Sequence, residues 1–261
     1  MQHGLSASDA GTFAAARRAV DLVEDGMKLG LGTGSTAAWM VRCLAARARA
    51  EGLRLTCAAT SARTAQQAQS LGLTVVPLDA AGPLDLTIDG ADEFDPTLDL
   101  IKGGGGAHLR EKVVAAASER MVVITDPSKQ VARLGAFPLP VEVLAFGLEA
   151  SQRMIRQVLE VADYLDVAVT LRETGGAPFV TDEGNRILDL HMDSISDAGA
   201  LDAALLAVPG VLQTGLFLGM CDAVVIGHPD GRAEMRGRDG SVETQCVDLA
   251  DASALPEAEN M

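Results

Sequence analysis

A chain of 261 residues, of which 48% are hydrophobic and 22% charged, is long enough for one large α/β domain or for one domain with a smaller companion. It has no apolar run that could span a bilayer and no basic segment leading into an apolar one near its start, so we expect a cytoplasmic protein without membrane contact. The formal net charge of −15 disfavours a nucleic-acid partner, and an anionic metabolite would need a local site of amide donors and a few cations.

Helical and strand patterns alternate over the first half of the chain. Apolar residues recur at helical spacing in Ala-rich stretches, and short apolar runs bounded by turn residues indicate strands between them. This alternation is typical of βαβ units and of a parallel sheet with helices on both faces, so we predict a Rossmann-like, mostly parallel α/β domain. The predicted elements are, in order, helix 8–25, strand 27–32, helix 37–51, strand 53–59, helix 62–71, strand 73–77, strand 84–89, helix 107–120 and strand 121–125.

The pattern changes after about Gly135, where regular alternation ends. Turn residues at 182–185 between two β-rich runs indicate a hairpin, and the acidic, aperiodic end of the chain indicates a mobile tail without chemistry of its own. The predicted elements are strand 139–143, helix 148–164, strands 167–171, 179–181 and 186–191, helix 198–207, and runs at 211–218 and 223–227 that return to the large sheet. The predicted units are a large α/β catalytic domain (1–134 and 210–236), a smaller α+β domain (135–209) and an acidic C-terminal tail (237–261).

A tight polar turn made of Thr33, Gly34, Ser35 and Thr36 lies where the first predicted strand leads into a helix. Glycine allows close backbone approach and the helix start offers N–H donors, so this 33–36 turn suits one phosphate group. The alternative is that Ser35 or Thr36 merely caps the helix. The turn also fits a loose G-x-G-x-x-A dinucleotide pattern. The second strand ends without the carboxylate that would hold a ribose, so NAD binding is less favoured than binding of a single phosphate.

An acidic loop, Asp89-Gly90-Ala91-Asp92-Glu93, follows a predicted strand that is mostly apolar. Ligands bind at the carboxyl ends of strands in open α/β sheets. The two aspartates could hold sugar hydroxyls, bind a divalent metal or face solvent. Since the four cysteines and four histidines are dispersed without metal-ligand spacing, we expect no metal site and reduced thiols.

Lys102 opens a run of four glycines, Gly103, Gly104, Gly105 and Gly106, here called the glycine loop. Apolar residues precede the loop and a helix follows it. Close backbone approach to a ligand therefore explains the loop better than a flexible linker does. The chain has only four lysines against 17 arginines, which makes a compact cation at this position notable.

Glu111 follows in the first turns of the next predicted helix. Considered alone, Glu111 is predicted to be an exposed helix carboxylate, which is favoured near the positive end of the helix dipole. It gains weight because Asp89, Asp92 and Lys102 belong to the same predicted sheet edge.

The order and spacing of these motifs resemble the type A ribose-5-phosphate isomerase family. The resemblance extends over about residues 9–232. It is carried by the segments 32–36, 89–93, 102–105, 110–112, 126–129, 137–143, 181–185, 209–211 and 215–217.

The resemblance implies that Glu111 is the proton acceptor, that the 33–36 turn and Lys129 bind substrate, and that Asp89, Asp92 and Lys102 line the reacting end. It also implies a homodimer or a higher homo-oligomer, assembled through the smaller domain. One position departs from the family. Members often carry a lysine in the first helix that reaches the site, and this chain has Thr12 near that position.

We therefore expect an aldose–ketose isomerase that interconverts D-ribose 5-phosphate and D-ribulose 5-phosphate through an enediolate, in the non-oxidative pentose phosphate pathway. Glu111 would move the proton, and Lys102 with the amides of Gly103, Gly104 and Gly105 would stabilise the oxyanion without any cofactor. Gly90 and Ala91 would also contact the substrate. The alternatives are a sugar-phosphate sensor, which needs only the 33–36 turn, and, among enzymes, an amino-sugar-phosphate isomerase or a phosphosugar lactonase.

Overall fold

In the computed structural model, which describes residues 5–256, helices and strands alternate over the first half of the chain as predicted. The helices are α1 (Ala7–Val20), α2 (Ser35–Glu51), α3 (Ala62–Ser70), α4 (Leu78–Ala81), α5 (His108–Ala116), α6 (Leu148–Val161) and α7 (Ala198–Leu206). The strands of the first half are β1 (Lys28–Leu31), β2 (Thr56–Ala59), β3 (Leu86–Gly90), β4 (Glu93–Phe94), β5 (Leu100–Ile101) and β6 (Met121–Thr125). Those of the second half are β7 (Leu139–Val143), β8 (Ala168–Leu171), β9 (Glu173–Thr174), β10 (Ala177–Pro178), β11 (Arg186–His191), β12 (Val211–Thr214), β13 (Leu216–Phe217), β14 (Ala223–Gly227), β15 (Arg232–Gly237) and β16 (Val242–Cys246).

The chain divides into two units, of which the larger comprises residues 1–91, 110–129 and 220–261. Its seven-stranded sheet has the order β16-β15-β14-β6-β3-β1-β2. Strands β14, β6, β3, β1 and β2 run parallel. At one edge β15 pairs antiparallel with β14, and β16 pairs antiparallel with β15. Aliphatic side chains of α1, α2 and the parallel strands form its core. The predicted Rossmann-like α/β fold is confirmed for this unit.

The smaller unit comprises residues 92–109 and 130–219. Its main sheet is antiparallel with the order β12-β7-β11-β8, and a three-stranded sheet β13-β5-β4 and the pair β10-β9 complete it. Leu, Val and Ile side chains of β7, β11, α6 and α7 form its core. The unit is thus α+β, as the irregular pattern after Gly135 predicts.

The boundaries between the units correct the predicted ones. Residues 92–109, 130–134 and 210–219 were expected in the large domain, yet all three segments belong to the smaller unit. The reason is long-range pairing, because β12 pairs with β7, and β13 pairs with β5. A local sequence pattern shows that a strand forms and does not show which strand it joins.

The predicted acidic tail is also corrected over its described part. Strand β16 pairs along β15, and the following 3-10 helix, Leu249–Ala254, brings Leu249 and Leu255 against the core of the larger unit. The Arg42 side chain donates from Nε to the carbonyl of Pro256 over 2.9 Å. All five residues of β16 are exposed, so this edge strand has no apolar alternation by which to predict it. Residues 257–261 of the predicted tail lie outside the described residues.

Three further elements differ from the expectations. The predicted strand at 73–77 contributes only an isolated bridge between Val75 and Cys57. The predicted strand at 179–181 forms no ladder, and its place is taken by the short pair β9 and β10 just before it. Helix α1 ends at Val20, five residues earlier than predicted.

Candidate active site

The 33–36 turn of the larger unit joins β1 to α2. Helix α2 begins at Ser35 after Gly34, whose φ is 122°, and no side chain among the described residues caps this start. The capping alternative for Ser35 and Thr36 is therefore wrong. The backbone amides of the first helical turn lie at the end of the helix where the dipole favours an anion. Thr33, Gly34 and Thr36 are half-buried, and Ser35 is exposed, so a ligand can reach the turn.

Asp89 holds the 33–36 turn from the neighbouring strand. Its side chain is fully buried, and its Oδ1 accepts hydrogen bonds from the Thr33 amide at 3.1 Å and the Gly90 amide at 2.7 Å. A Cβ on Gly32 would lie 2.0 Å from this Oδ1 atom. Only glycine therefore leaves room for the carboxylate at this point.

A cluster of hydroxyls supports the turn from the end of β2. The Thr33 hydroxyl is hydrogen-bonded to Thr60 Oγ1 at 2.7 Å and donates to Ser61 Oγ at 2.8 Å. Thr64 Oγ1 donates to the Gly32 carbonyl at 3.0 Å. Thr33 therefore stabilises the turn from within. Sequence reasoning missed Thr60, Ser61 and Thr64, although the polar pair that ends a strand and caps the next helix was a usable signal.

Replacing Gly32 by alanine is expected to lower the free energy of unfolding by about 1–3 kcal/mol, because the new Cβ overpacks against Asp89. The displaced carboxylate should also raise KM for a phosphorylated substrate. Urea denaturation and steady-state kinetics measure the two effects. The matched control is Gly199→Ala in α7, where the added Cβ meets nothing closer than 3.7 Å and stability should be unchanged or raised by up to about 1 kcal/mol. Equal stabilities of the two variants would contradict the packing argument.

Glu111 lies in the first turn of α5 within the larger unit and is only 3% exposed. The interpretation as a solvent-exposed helix carboxylate is therefore wrong. Removing a carboxylate from water costs free energy, so its burial is typical of a functional group. Lys129, also in the larger unit, is half-buried in the 3-10 turn after β6, and β6 is the sheet neighbour of β3, which ends at Gly90.

In the smaller unit, the glycine loop is held at Asp92. The Gly104 amide donates to Asp92 Oδ2 over 2.7 Å. Gly103 has a φ of 112°, and a Cβ there would lie 2.8 Å from the ring of buried His108. The positive φ and the ring both require glycine. His108 is a loop support that the sequence reasoning missed.

Lys102, which begins this loop, is 2% exposed. Its Nζ lies 5.4 Å from the centre of the Phe217 ring, a distance at which a cation and an aromatic face attract each other. Its amide donates to the Gly215 carbonyl over 2.9 Å. Strand pairing and ring contact thus hold one buried cation beside the glycine loop.

Glu93, the last residue of the acidic motif, has a structural contact. Its carboxylate is buried and accepts from the Gly135 amide at 2.8 Å and from the Phe137 amide. Glu93 therefore anchors the loop before β7 within the smaller unit.

The predicted site residues fall into two sets. Those of the larger unit are Thr33, Gly34, Ser35, Thr36, Asp89, Gly90, Ala91, Glu111 and Lys129, and those of the smaller unit are Asp92, Lys102, Gly103, Gly104 and Gly105.

The four cysteines are free thiols. Burial raises the pKa of Cys43, Cys57 and Cys221 to about 12, so these side chains are poor nucleophiles at neutral pH. In residues 5–256, no three His, Cys, Asp or Glu side chains gather in a way that could hold a metal ion. The described part of the chain also contains no helix with the length and apolar composition needed to cross a membrane.

Known proteins resemble this chain over most of its length. The family model described as ribose 5-phosphate isomerase A (phosphoriboisomerase A) matches residues 56–231. A ribose-5-phosphate isomerase A of Cereibacter sphaeroides is 59% identical over 246 residues, covering 94% of each chain. The chain belongs to the ribose 5-phosphate isomerase A family. A further member, from Ruegeria pomeroyi, is 55% identical over 252 residues and covers 96% of each chain.

Solved structures of the family agree with this assignment. The ribose 5-phosphate isomerase A of Methanocaldococcus jannaschii superposes with a TM-score of 0.77 at 37% identity, over 92% of this chain and 99% of that one. A D-ribose-5-phosphate isomerase in complex with phospho-erythronic acid superposes with a TM-score of 0.78 at 29% identity, over the same shares of the two chains. Membership makes the chain an isomerase and places it in the pentose phosphate pathway, which confirms the resemblance seen in its motifs.

Proposed function

We propose that the chain interconverts D-ribose 5-phosphate and D-ribulose 5-phosphate through an enediolate, with Glu111 as the general base. The observation that carries this proposal is the burial of the Glu111 carboxylate, 3% exposed in the first turn of α5. A carboxylate shielded from water can hold a proton taken from carbon without rapid exchange with solvent.

The proton balance of the reaction needs one base and no redox partner. Glu111 takes the proton from C2 of the open-chain aldose, and negative charge develops on O1 as the enediolate forms. The O2 proton moves to O1, and return of the carbon-bound proton from Glu111 to C1 leaves a hydroxyl at C1 and a carbonyl at C2. Asp89 and Asp92 hold the hydroxyls at O1 and O2 and assist ring opening. No electrons leave the substrate, so no cofactor is required.

The developing oxyanion is stabilised by Lys102 and by the glycine loop. A buried cation next to backbone donors provides preorganised stabilisation that water could not. Within the loop, the Gly104 amide already donates to Asp92. We therefore assign direct stabilisation of the oxyanion to Lys102 and the amides of Gly103 and Gly105, and assign to Gly104 the orientation of Asp92.

The phosphate is bound at the 33–36 turn, with Lys129, Gly90 and Ala91 completing the contacts. Binding energy from this remote group positions the reacting carbons. Thr12 is half-buried in α1 and supplies a hydroxyl in place of the cation that family members often carry there. A relative's structure in complex with phospho-erythronic acid, a phosphorylated sugar acid, supports a ligand of this class.

Protein treated exhaustively with EDTA is expected to convert ribose 5-phosphate to ribulose 5-phosphate at the untreated rate, measured by NMR of the sugar mixture. A metal requirement would contradict the proposed chemistry.

A substrate panel tests the alternatives; it consists of ribose 5-phosphate, glucosamine 6-phosphate and 6-phosphogluconolactone. Turnover of either one without turnover of ribose 5-phosphate would favour an amino-sugar-phosphate isomerase or a lactonase, and binding of sugar phosphates without conversion would favour the sensor.

The homodimer or higher homo-oligomer and the cytoplasmic location stay predictions. The smaller unit exposes several large apolar side chains, among them Phe146 at 92% and Val161 at 88%. Analytical ultracentrifugation of the purified chain tests the oligomeric state.

A further inference from the structure

Arg172 contacts the glycine loop from the sheet of the smaller unit. It directly follows β8, and its amide donates to the Ile187 carbonyl of β11 over 2.9 Å. Its guanidinium Nη1 donates to the Gly103 carbonyl at 2.6 Å and to the Gly104 carbonyl at 3.3 Å. The Arg172 side chain thus connects the glycine loop to the main sheet of the smaller unit.

The guanidinium is itself held by Asp189. Nε donates to Asp189 Oδ2 at 2.9 Å, and Nη2 forms a second short contact with Oδ1. The two side chains are only 14% and 15% exposed. A bidentate pair of this kind fixes the plane of the guanidinium. Nη1, the guanidinium nitrogen that does not contact Asp189, is therefore directed at the loop carbonyls with little rotational freedom.

The contact reaches Asp92 through a single peptide group. The C=O and N–H of a trans peptide point in opposite directions. In the Gly103–Gly104 peptide the oxygen accepts from Arg172, and the nitrogen donates to Asp92 Oδ2 over 2.7 Å. A cation at the oxygen and a carboxylate at the hydrogen polarise the peptide in the same direction, so the two hydrogen bonds strengthen each other.

We propose that Arg172 is a positioning residue for the isomerase reaction, acting through the Gly103–Gly104 peptide on the Asp92 carboxylate and the neighbouring loop amides. The inference rests on the proposed function, which places Asp92 and these amides against the substrate. Successive glycines have the largest backbone freedom of any sequence. Without Arg172 the loop would lose a charged contact that fixes the Gly103 and Gly104 carbonyls, and the donors would no longer be preorganised.

The informative variant removes both charges of the pair. Arg172→Met alone would leave the Asp189 carboxylate poorly solvated and without its partner, and could fail to fold for that reason. The double variant Arg172→Met, Asp189→Asn avoids a lone charge. We expect its kcat for ribose 5-phosphate to fall on the order of 10- to 100-fold, as small misplacements of catalytic groups do, while KM, set mainly at the phosphate end, changes by less than about 3-fold.

Three further variants make the comparison specific. Asp189→Asn alone keeps Arg172 on the Gly103 carbonyl and should cost less kcat than the double variant. Arg172→Lys keeps a cation that can reach one carbonyl, and should recover part of the lost kcat. The control is Arg186→Met, which removes an arginine that donates to the carbonyls of Gly184 and Asn185 in another turn and should leave kcat unchanged.

Hydrogen–deuterium exchange of the segment 103–106 separates positioning from general destabilisation. We expect faster exchange there in the double variant and wild-type exchange in Arg186→Met, with the remaining peptides unchanged in both. Wild-type kcat in the double variant overturns the inference, as does a fall in kcat with unchanged exchange at 103–106. Wild-type protein that fails to convert ribose 5-phosphate contradicts the proposed function instead, and with it the catalytic part of this inference.

Discussion

Glu111→Gln is expected to lower kcat for ribose 5-phosphate by on the order of 100- to 10,000-fold, the usual contribution of a general base. Glutamine preserves the shape of the side chain in its buried position, 3% exposed, and removes its ability to accept a proton. KM should change little, because the substitution leaves the proposed phosphate site, the 33–36 turn, unaltered. Steady-state kinetics with the NMR assay measure both constants.

The matched control is Glu119→Gln. Glu119 lies three residues beyond the end of α5 and is exposed, so its substitution should leave kcat at the wild-type value. Near-wild-type turnover of Glu111→Gln would end its assignment as the base.

Lys102→Met is expected to lower kcat by on the order of 100- to 1,000-fold, the typical cost of removing one oxyanion-stabilising group. Methionine keeps an apolar stem beside Phe217 and removes the charge that lies 5.4 Å from its ring centre. Because the proposed contribution of Lys102 arises as charge develops on O1, kcat should fall more than KM rises.

One further variant tests whether charge or shape matters at position 102, and a second serves as the control. Lys102→Arg keeps the charge and is not expected to restore activity, because a planar, wider head must fit where only 2% of the lysine is exposed. Lys28→Met, the control, removes a lysine at the start of β1, the strand end remote from the 33–36 turn, and should leave kcat unchanged. Urea denaturation confirms that each variant is folded. Wild-type kcat in Lys102→Met would remove Lys102 from the mechanism.

The local parts of the fold and site were predictable from the sequence. Strand β1, the 33–36 turn and helix α2 follow from a short apolar run, two glycines and an Ala-rich helical pattern. These features depend on neighbours within a few residues, so periodicity and turn chemistry identify them. The same applies to the order of motifs that resembles the family.

Long-range pairing was not predictable in the same way. Residues 211–218 have the pattern of a strand wherever they pair, and only the ladder of β12 with β7 places them in the smaller unit. Strand β16 is exposed along its whole length and owes its formation to the backbone of β15. Its sequence therefore has no hydrophobic period to indicate it.

The chemistry of the site divides along the same line. The sequence by itself determined the order of the candidate site features, namely the 33–36 turn, two aspartates, a lysine with a glycine loop, and Glu111. Only the tertiary structure decided that Glu111 is buried, that Asp89 supports the 33–36 turn, and that Arg172 holds the glycine loop. The physical reason is that burial and hydrogen-bond partners depend on which distant segments pack together, whereas turn and helix propensities depend on adjacent residues alone.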